Sequence, residues 1–309
     1  MKLVLGLLLA TAACADVGQE DLAFDPPSRA AALDEIGSPV EATIPKEAFE
    51  PLDHRDAGGT ATPLKITYHG GPVLTAAPNV YVVWYGAWTG NTAQTIVPAF
   101  IGALGDSPYW KINTTYTNAA GAAASSAIKL AGQTTDNYSR GKALTDQDVV
   151  TIVATAQAAN RLPKDATGIY VVLTSADVNE TSGMCSRYCG WHTYATIATA
   201  PYKLIYIGNP DRCPSSCEAQ SAKSPNANPG ADGLISILAH ELDETVSDPL
   251  LNAWFDSSGA ENGDKCAWTF GTTYAAANGS RANVKLGGKD YLIQQNWLNV
   301  GAGSCTLAH

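Results

Sequence analysis

The sequence predicts an α/β domain: a single zincin-like domain with a mixed sheet, a motif-bearing helix over 232–247 and a disulfide-linked C-terminal β-hairpin region. Three observations lead there. β-branched and aromatic runs alternate with amphipathic helical stretches. The segment Ala239-His240-Glu241-Leu242-Asp243-Glu244 is one letter short of the zinc-hydrolase signature His-Glu-x-x-His. Six cysteines cluster in the second half of the chain.

Taken in order, Lys65–His69 and Asn79–Tyr85 have strand composition, the second apolar enough to be central in a sheet. An amphipathic helix pattern follows over 91–104, and another over 145–160. Gly168–Thr174 and Lys203–Ile207 are further buried strands. A Pro/Ser/Asn-rich loop over 210–231 then leads to the motif helix. Leu234, Ile235, Leu238, Leu242 and Val246 recur three and four apart there, which gives one half-buried face. Asp232 is the expected N-cap and Pro249 the stop. Residues 281–297 predict a hairpin that turns at Gly287-Gly288.

The chain has 309 residues, 45% of them hydrophobic, enough to bury a substantial core in one large domain at 63–309. A net charge of -10 excludes a nucleic-acid partner, since phosphate contacts need clustered Lys and Arg. Residues 1–15 combine a basic start, a short apolar run and small residues, the pattern of a secretory signal peptide. The run is too short to span a bilayer core of about 30 Å. Cys14 is a lipidation candidate, so the protein is expected to be secreted or anchored to the cell envelope by lipid. Residues 16–62, rich in Ala, Pro, Asp and Glu without periodicity, form a linker or pro-like segment.

Positions four apart on a helix share a face, so His240 and Glu244 can grip one cation while Glu241 faces a bound water as the base. Zincins of this kind take a further ligand from a carboxylate well beyond the helix, and Glu261 and Asp264 are the candidates. One imidazole with two carboxylates is a harder donor set than the usual one. Zinc remains the first candidate, and manganese or calcium competes with it. His192, Asp248 and Trp254 are candidate cleft residues; the alternative for His192 is a hydrogen-bonded histidine packed beside a disulfide. Trp84, Tyr85, Trp88, Trp191, Trp254 and Trp268 are either a carbohydrate-stacking surface or core. No Gly-x-Ser-x-Gly elbow is present.

With Cys14 in the leader, Cys185, Cys189, Cys213, Cys217, Cys266 and Cys305 make an even set, as expected of three disulfides in an exported protein. Spacing suggests Cys185 with Cys189, Cys213 with Cys217, and Cys266 with Cys305. The two Cys-x-x-x-Cys pairs could instead hold a structural zinc.

Ordered segments across 64–306 carry a family resemblance. They are Tyr68-His69-Gly70-Gly71-Pro72, Val83-Trp84-Tyr85-Gly86, Tyr138-Ser139-Arg140-Gly141-Lys142, Cys189-Gly190-Trp191-His192, Cys213-Pro214-Ser215-Ser216-Cys217 and the motif helix through Asn252-Ala253-Trp254. The chain resembles the EXORDIUM or phosphate-induced protein family of secreted proteins, as a member with a bacterial-type leader. The resemblance implies an extracellular or cell-wall location and, in plants, a link to growth. It also implies that His-Glu-x-x-Glu, with a later Glu-x-x-Asp-x-Cys at Glu261, Asp264 and Cys266, is the family's own pattern. Two functions are therefore expected. One is a metal-dependent hydrolase, a metallopeptidase acting on a peptide or cell-wall polymer. The other is a non-catalytic extracellular binding or growth-related protein with a structural metal or none.

Overall fold

The computed structural model describes residues 65–309 and, before them, the backbone of one strand, Glu47–Phe49. The leader, Cys14 and the rest of the segment 16–62 lie outside the described residues. In chain order the elements through the motif helix are β1 (Glu47–Phe49), β2 (Thr67–Tyr68), β3 (Asn79–Tyr85), α1 (Ala93–Leu104), β4 (Lys129–Asp136), β5 (Ala143–Leu144) and α2 (Asp146–Ala158). They continue as β6 (Ile169–Thr174), β7 (Asn179–Glu180), β8 (Gly190–Ile197), β9 (Ala200–Ile207), α3 (Pro214–Cys217) and α4 (Pro229–Ser247).

Six strands form the central sheet in the order β1-β8-β9-β6-β3-β4. β3, β4, β6 and β9 are parallel, and β8 and β1 each run antiparallel to the neighbour that precedes them toward the edge. The middle strands β3 and β6 are buried along nearly their whole length, because helices cover both faces of a parallel sheet. The chain leaves β3 through α1 toward one side and returns through α2 to the other. Right-handed crossovers then place the two helices on opposite faces. α1 packs with α4. α2 begins with a capping box in which Thr145 and Asp148 satisfy each other's backbone N–H groups.

The motif helix differs from expectation in two ways. It starts a turn earlier, at Pro229, with Asn228 as N-cap, its side chain accepting from the Ala231 N–H. Proline suits the first helical position because its missing N–H is not needed there, and this outranks Asp232, which lies inside the helix and holds Asn226 instead. The helix is also buried all round rather than on one face. β8 and β9 cover its apolar side, and α1, a 3-10 turn at Trp110–Thr115 and the turn at Pro210–Arg212 close the rest.

Beyond α4, β10 (Trp254–Phe255) pairs with β2. Two short strands, β11 (Tyr274–Ala275) and β12 (Arg281–Ala282), precede the predicted hairpin, which is β13 (Val284–Leu286) and β14 (Lys289–Tyr291). Its turn residues Gly287 and Gly288 have φ of 55° and 81°, the left-handed pair a two-residue hairpin requires. β15 (Asn296–Leu298) leaves it to pair with β16 (Ser304–Thr306).

Only one of the three expected disulfides forms as spacing suggested, Cys266–Cys305. The pairings Cys185–Cys189 and Cys213–Cys217 are replaced by Cys185–Cys213 and Cys189–Cys217. Cys213 and Cys217 bracket the single turn α3, so their Cβ vectors point the same way and cannot close on each other. They meet the two cysteines of the 185–189 turn side by side as twin bridges, which leaves no thiolate for a structural zinc. Among the described residues, no helix is long and apolar enough to cross a membrane.

The bridges should differ in worth. Cys266–Cys305 closes a separation of 39 residues with no other bridge across it, so C266A/C305A is expected to cost roughly 3–4 kcal/mol by urea unfolding. Removing either twin should cost less, because the other still ties the same two segments. Equal losses for all three pairs would refute this.

Candidate metal centre

α4 presents His240 and Glu244 one turn apart, with His240 Nε2 3.0 Å from Glu244 Oε1. The loop after β10 folds back onto this pair. The Asp264 N–H donates to Glu244 Oε1 at 3.0 Å, and Asp264 Oδ1 lies 3.5 Å from His240 Nε2. His192 enters from β8 on the other side, its Nε2 3.6 Å from Glu244 Oε2 and 2.7 Å from Glu261 Oε2. Glu244 therefore stands between two imidazoles, one facing each of its oxygens. Glu241 lies beneath β8, where a Cβ built on Gly190 would come 3.2 Å from its carboxylate.

Two donor sets result, each with ligand atoms within 4.8 Å of one another: His240, Glu244 and Asp264, and His192, Glu241 and Glu244. They share Glu244. Glu261 belongs to neither, since it holds His192 and also hydrogen-bonds Asp248. Asp248, the C-cap of α4, holds the turn that follows by accepting from the N–H groups of Asn252, Ala253 and Trp254 at 2.5, 2.7 and 3.3 Å. Trp254 does not reach the cluster; its indole donates to Thr117 O and packs on Tyr68 and Tyr116. The other aromatics weighed as a stacking surface, Trp84, Tyr85, Trp88, Trp191 and Trp268, are all core.

The cluster is closed. His192, His240, Glu241, Glu244 and Glu261 are each at most 1% exposed, and only Asp264, with a quarter of its side chain accessible, meets solvent. Buried carboxylates at this density cost several kcal/mol each unless a cation compensates them. Burial, then the charge of Asp264, pushes the Glu244 carboxyl up to about 7. Burial works against protonation of His240, but Glu244, Asp264 and Glu241 outweigh it and raise that imidazole well above its ordinary value. Burial holds His192 down at about 3, so its imidazole is neutral, and its Nδ1 has no hydrogen-bond partner. For His240, Glu244 and Asp264 to hold a divalent cation, His240 and Glu244 must shed those protons, and the cation then compensates the buried charge in their place.

Sequence reasoning reached His240, Glu241, Glu244, Glu261 and Asp264, and the structure gathers all of them with His192. It missed Gly263. A Cβ there would lie 2.8 Å from both Glu244 Oε1 and His240 Nδ1, so only glycine lets the loop backbone sit on the pair. Its place between Asn262 and Asp264 in the downstream motif was the available signal.

Two outcomes are expected. Gly263→Ala should weaken divalent-metal affinity about 10- to 100-fold by calorimetric titration, as loss of a supporting contact does elsewhere; unchanged affinity would remove the loop from the site. In metal-free protein, Glu244, Asp243 and Asp248 have carboxyls raised from 4.5, 3.8 and 3.8 to about 7, 7 and 6. Between these limits the native state holds protons the unfolded chain has lost, so stability falls as pH rises from 5 to 7. His192, lowered from 6.5, acts in the opposite sense and is outweighed. A urea midpoint that climbs across this window in chelator would contradict the assignment.

The chain is 28% identical to the protein EXORDIUM-like 5 of Arabidopsis thaliana over 299 residues, 84% of this chain and 82% of that one. It is 30% identical to EXORDIUM-like 3 of the same plant over 281 residues, covering 78% and 83%. It is 29% identical to the protein PHOSPHATE-INDUCED 1 of Nicotiana tabacum over 218 residues, covering 62% and 67%. These relatives are plant proteins, and the expectation of a bacterial type of member finds no support among them. No solved structure matches. A family model, the phosphate-induced protein 1 conserved region, matches residues 66–294, a stretch that contains all of α4 and the loop carrying Glu261 and Asp264. The chain belongs to the phosphate-induced protein 1 family.

Proposed function

We propose that this is an extracellular, non-hydrolytic protein of the growth-linked EXORDIUM type, whose zincin-like domain is organised round a buried divalent-metal centre on His240, Glu244 and Asp264. The observation that carries this reading is closure: no scissile carbonyl can approach a cluster in which the imidazoles and glutamates are at most 1% exposed. Three disulfides are compatible with secretion. One relative's name speaks of phosphate induction. The zincin-like label rests on the strand-helix order before the motif helix and on the antiparallel strand β8 packed against it.

His240 Nε2, a Glu244 oxygen and Asp264 Oδ1 would hold the ion, with zinc first and manganese or calcium as competitors for this oxygen-rich set. Such an ion, when bound, neutralises the cluster and ties the 261–266 loop to α4. The residues do the rest: Glu244 gives up the proton that burial lets it hold, and His240 the one its carboxylate neighbours let it hold, so loading releases protons. Glu261 keeps His192 in place through its 2.7 Å contact. A second reading, hydrolysis, is favoured by one observation, the placement of Glu241 within reach of His192 and Glu244, where it could serve as a base.

Elemental analysis of the purified full chain should find about one equivalent of divalent metal, lost in Glu244→Gln and in Asp264→Asn, with a thermal midpoint lowered by several degrees on chelation. Protein that takes up no zinc, manganese or calcium would overturn the metal centre. Peptide cleavage by the loaded protein that disappears in Glu241→Gln, with metal retained, would favour the hydrolytic reading instead.

A further inference from the structure

A centre on His240, Glu244 and Asp264 uses only part of the cluster. The second donor set, His192, Glu241 and Glu244, is drawn from two elements that pack together, since His192 comes from β8 and the two glutamates from α4. All three side chains are at most 1% exposed. Glu244 is common to both sets and divides between them. Its Oε1 lies 3.0 Å from His240 Nε2, and its Oε2 lies 3.6 Å from His192 Nε2. The Asp264 N–H holds this orientation by donating to Oε1 at 3.0 Å.

Donor atoms that share one cation at bond lengths of about 2.0–2.2 Å stand roughly 3 Å from one another. The contacts of His192 Nε2 straddle that spacing, at 3.6 Å to Glu244 Oε2 and 2.7 Å to Glu261 Oε2. Charge points the same way. The carboxylates of Glu241, Glu244, Glu261 and Asp264 gather round the two imidazoles, and a single divalent ion balances only part of their charge. From the divided carboxylate, the second buried imidazole and this surplus of acids, we propose that the cluster is a two-cation centre bridged by Glu244. One ion is that of His240, Glu244 Oε1 and Asp264. The other is held by His192, Glu241 and Glu244 Oε2, an oxygen-rich set suited to a divalent cation such as manganese. This second site rests on the metal reading of the first, and it binds more weakly, because its ion enters beside a cation already present. Once bound, it joins β8 to α4 through His192, a tie that the first ion does not make.

Manganese titration of the chelator-treated full chain, followed by electron paramagnetic resonance, should show two steps of uptake, the second weaker by about tenfold or more. At the second step the signal of isolated ions should give way to that of a spin-coupled pair, as ions joined through one carboxylate produce. His192→Asn and Glu241→Gln should each keep the first equivalent and lose the second, so that the coupled signal never forms. Saturation of the native chain at one equivalent would overturn the bridge and leave the single-ion centre standing. Two equivalents without coupling would put the second ion elsewhere and overturn the bridge as well. No uptake at all would overturn the centre and the bridge together. Stoichiometry and coupling are both read on the native chain, so the outcome is decided even where a variant does not fold.

Discussion

Glu244 has a carboxylate with no access to water, placed by a single helical turn above His240 and against His192 of the neighbouring strand. A lone buried carboxylate is too costly for a fold to carry, so its neighbours must hold a proton, a cation or a network around it. The surrounding structure follows from that. Gly263 brings a loop backbone close enough for the Asp264 N–H to reach Glu244, and Gly190 keeps β8 thin where Glu241 lies beneath it. The disulfide Cys266–Cys305 anchors that loop immediately after Asp264. A change at Glu244 therefore propagates into the helix, the sheet edge and the C-terminal region together.

The elements with strong periodicity or composition were legible in the sequence. β3 and β6 are continuous β-branched and aromatic runs, and their burial on both faces matches that pattern. The hairpin turn was readable from Gly287-Gly288 alone, because few other pairs adopt two left-handed residues in succession. β8 was not read as a strand. Its Gly-Trp-His start resembles a loop after a cysteine, and the burial that makes it a strand comes from α4 beneath it, which is tertiary information. The full burial of α4 was hidden for the same reason. Its polar face looks solvated until the Trp110–Thr115 turn and the 261–266 loop are folded over it.

The twin disulfides show how spacing misleads when geometry decides. Cys-x-x-x-Cys places two sulfurs on one side of a helical turn, here only 3.5 Å apart, yet each bonds to the parallel pair across from it. The result ties the turn that leads into β8 to the turn that leads toward α4. Strand and helix thus meet with their relative position fixed just where His192 and His240 must face each other.

Asp243 is an acid of the same helix that stays outside the cluster of His240, Glu244 and Asp264. It points to the other side of α4, where Tyr109 Oη and Asn113 Nδ2 donate to its two oxygens at 2.7 Å each. Asn113 Oδ1 in turn accepts from Asn296 at 2.9 Å and Asn262 at 3.4 Å, and Asn262 Oδ1 accepts from Ser247 Oγ at 3.0 Å. This buried network joins α4 to the 110–115 turn, to β15 and to the residue between Glu261 and Gly263. The helix thus uses opposite faces for separate tasks: one presents His240 and Glu244, and the other clamps the loop that brings Glu261 and Asp264 to them. Each donor lost from a buried network leaves a desolvated acceptor behind, so the clamp holds the loop firmly against the helix. An acidic helix that looks like a solvated surface in sequence is in this fold the junction between two polar interiors.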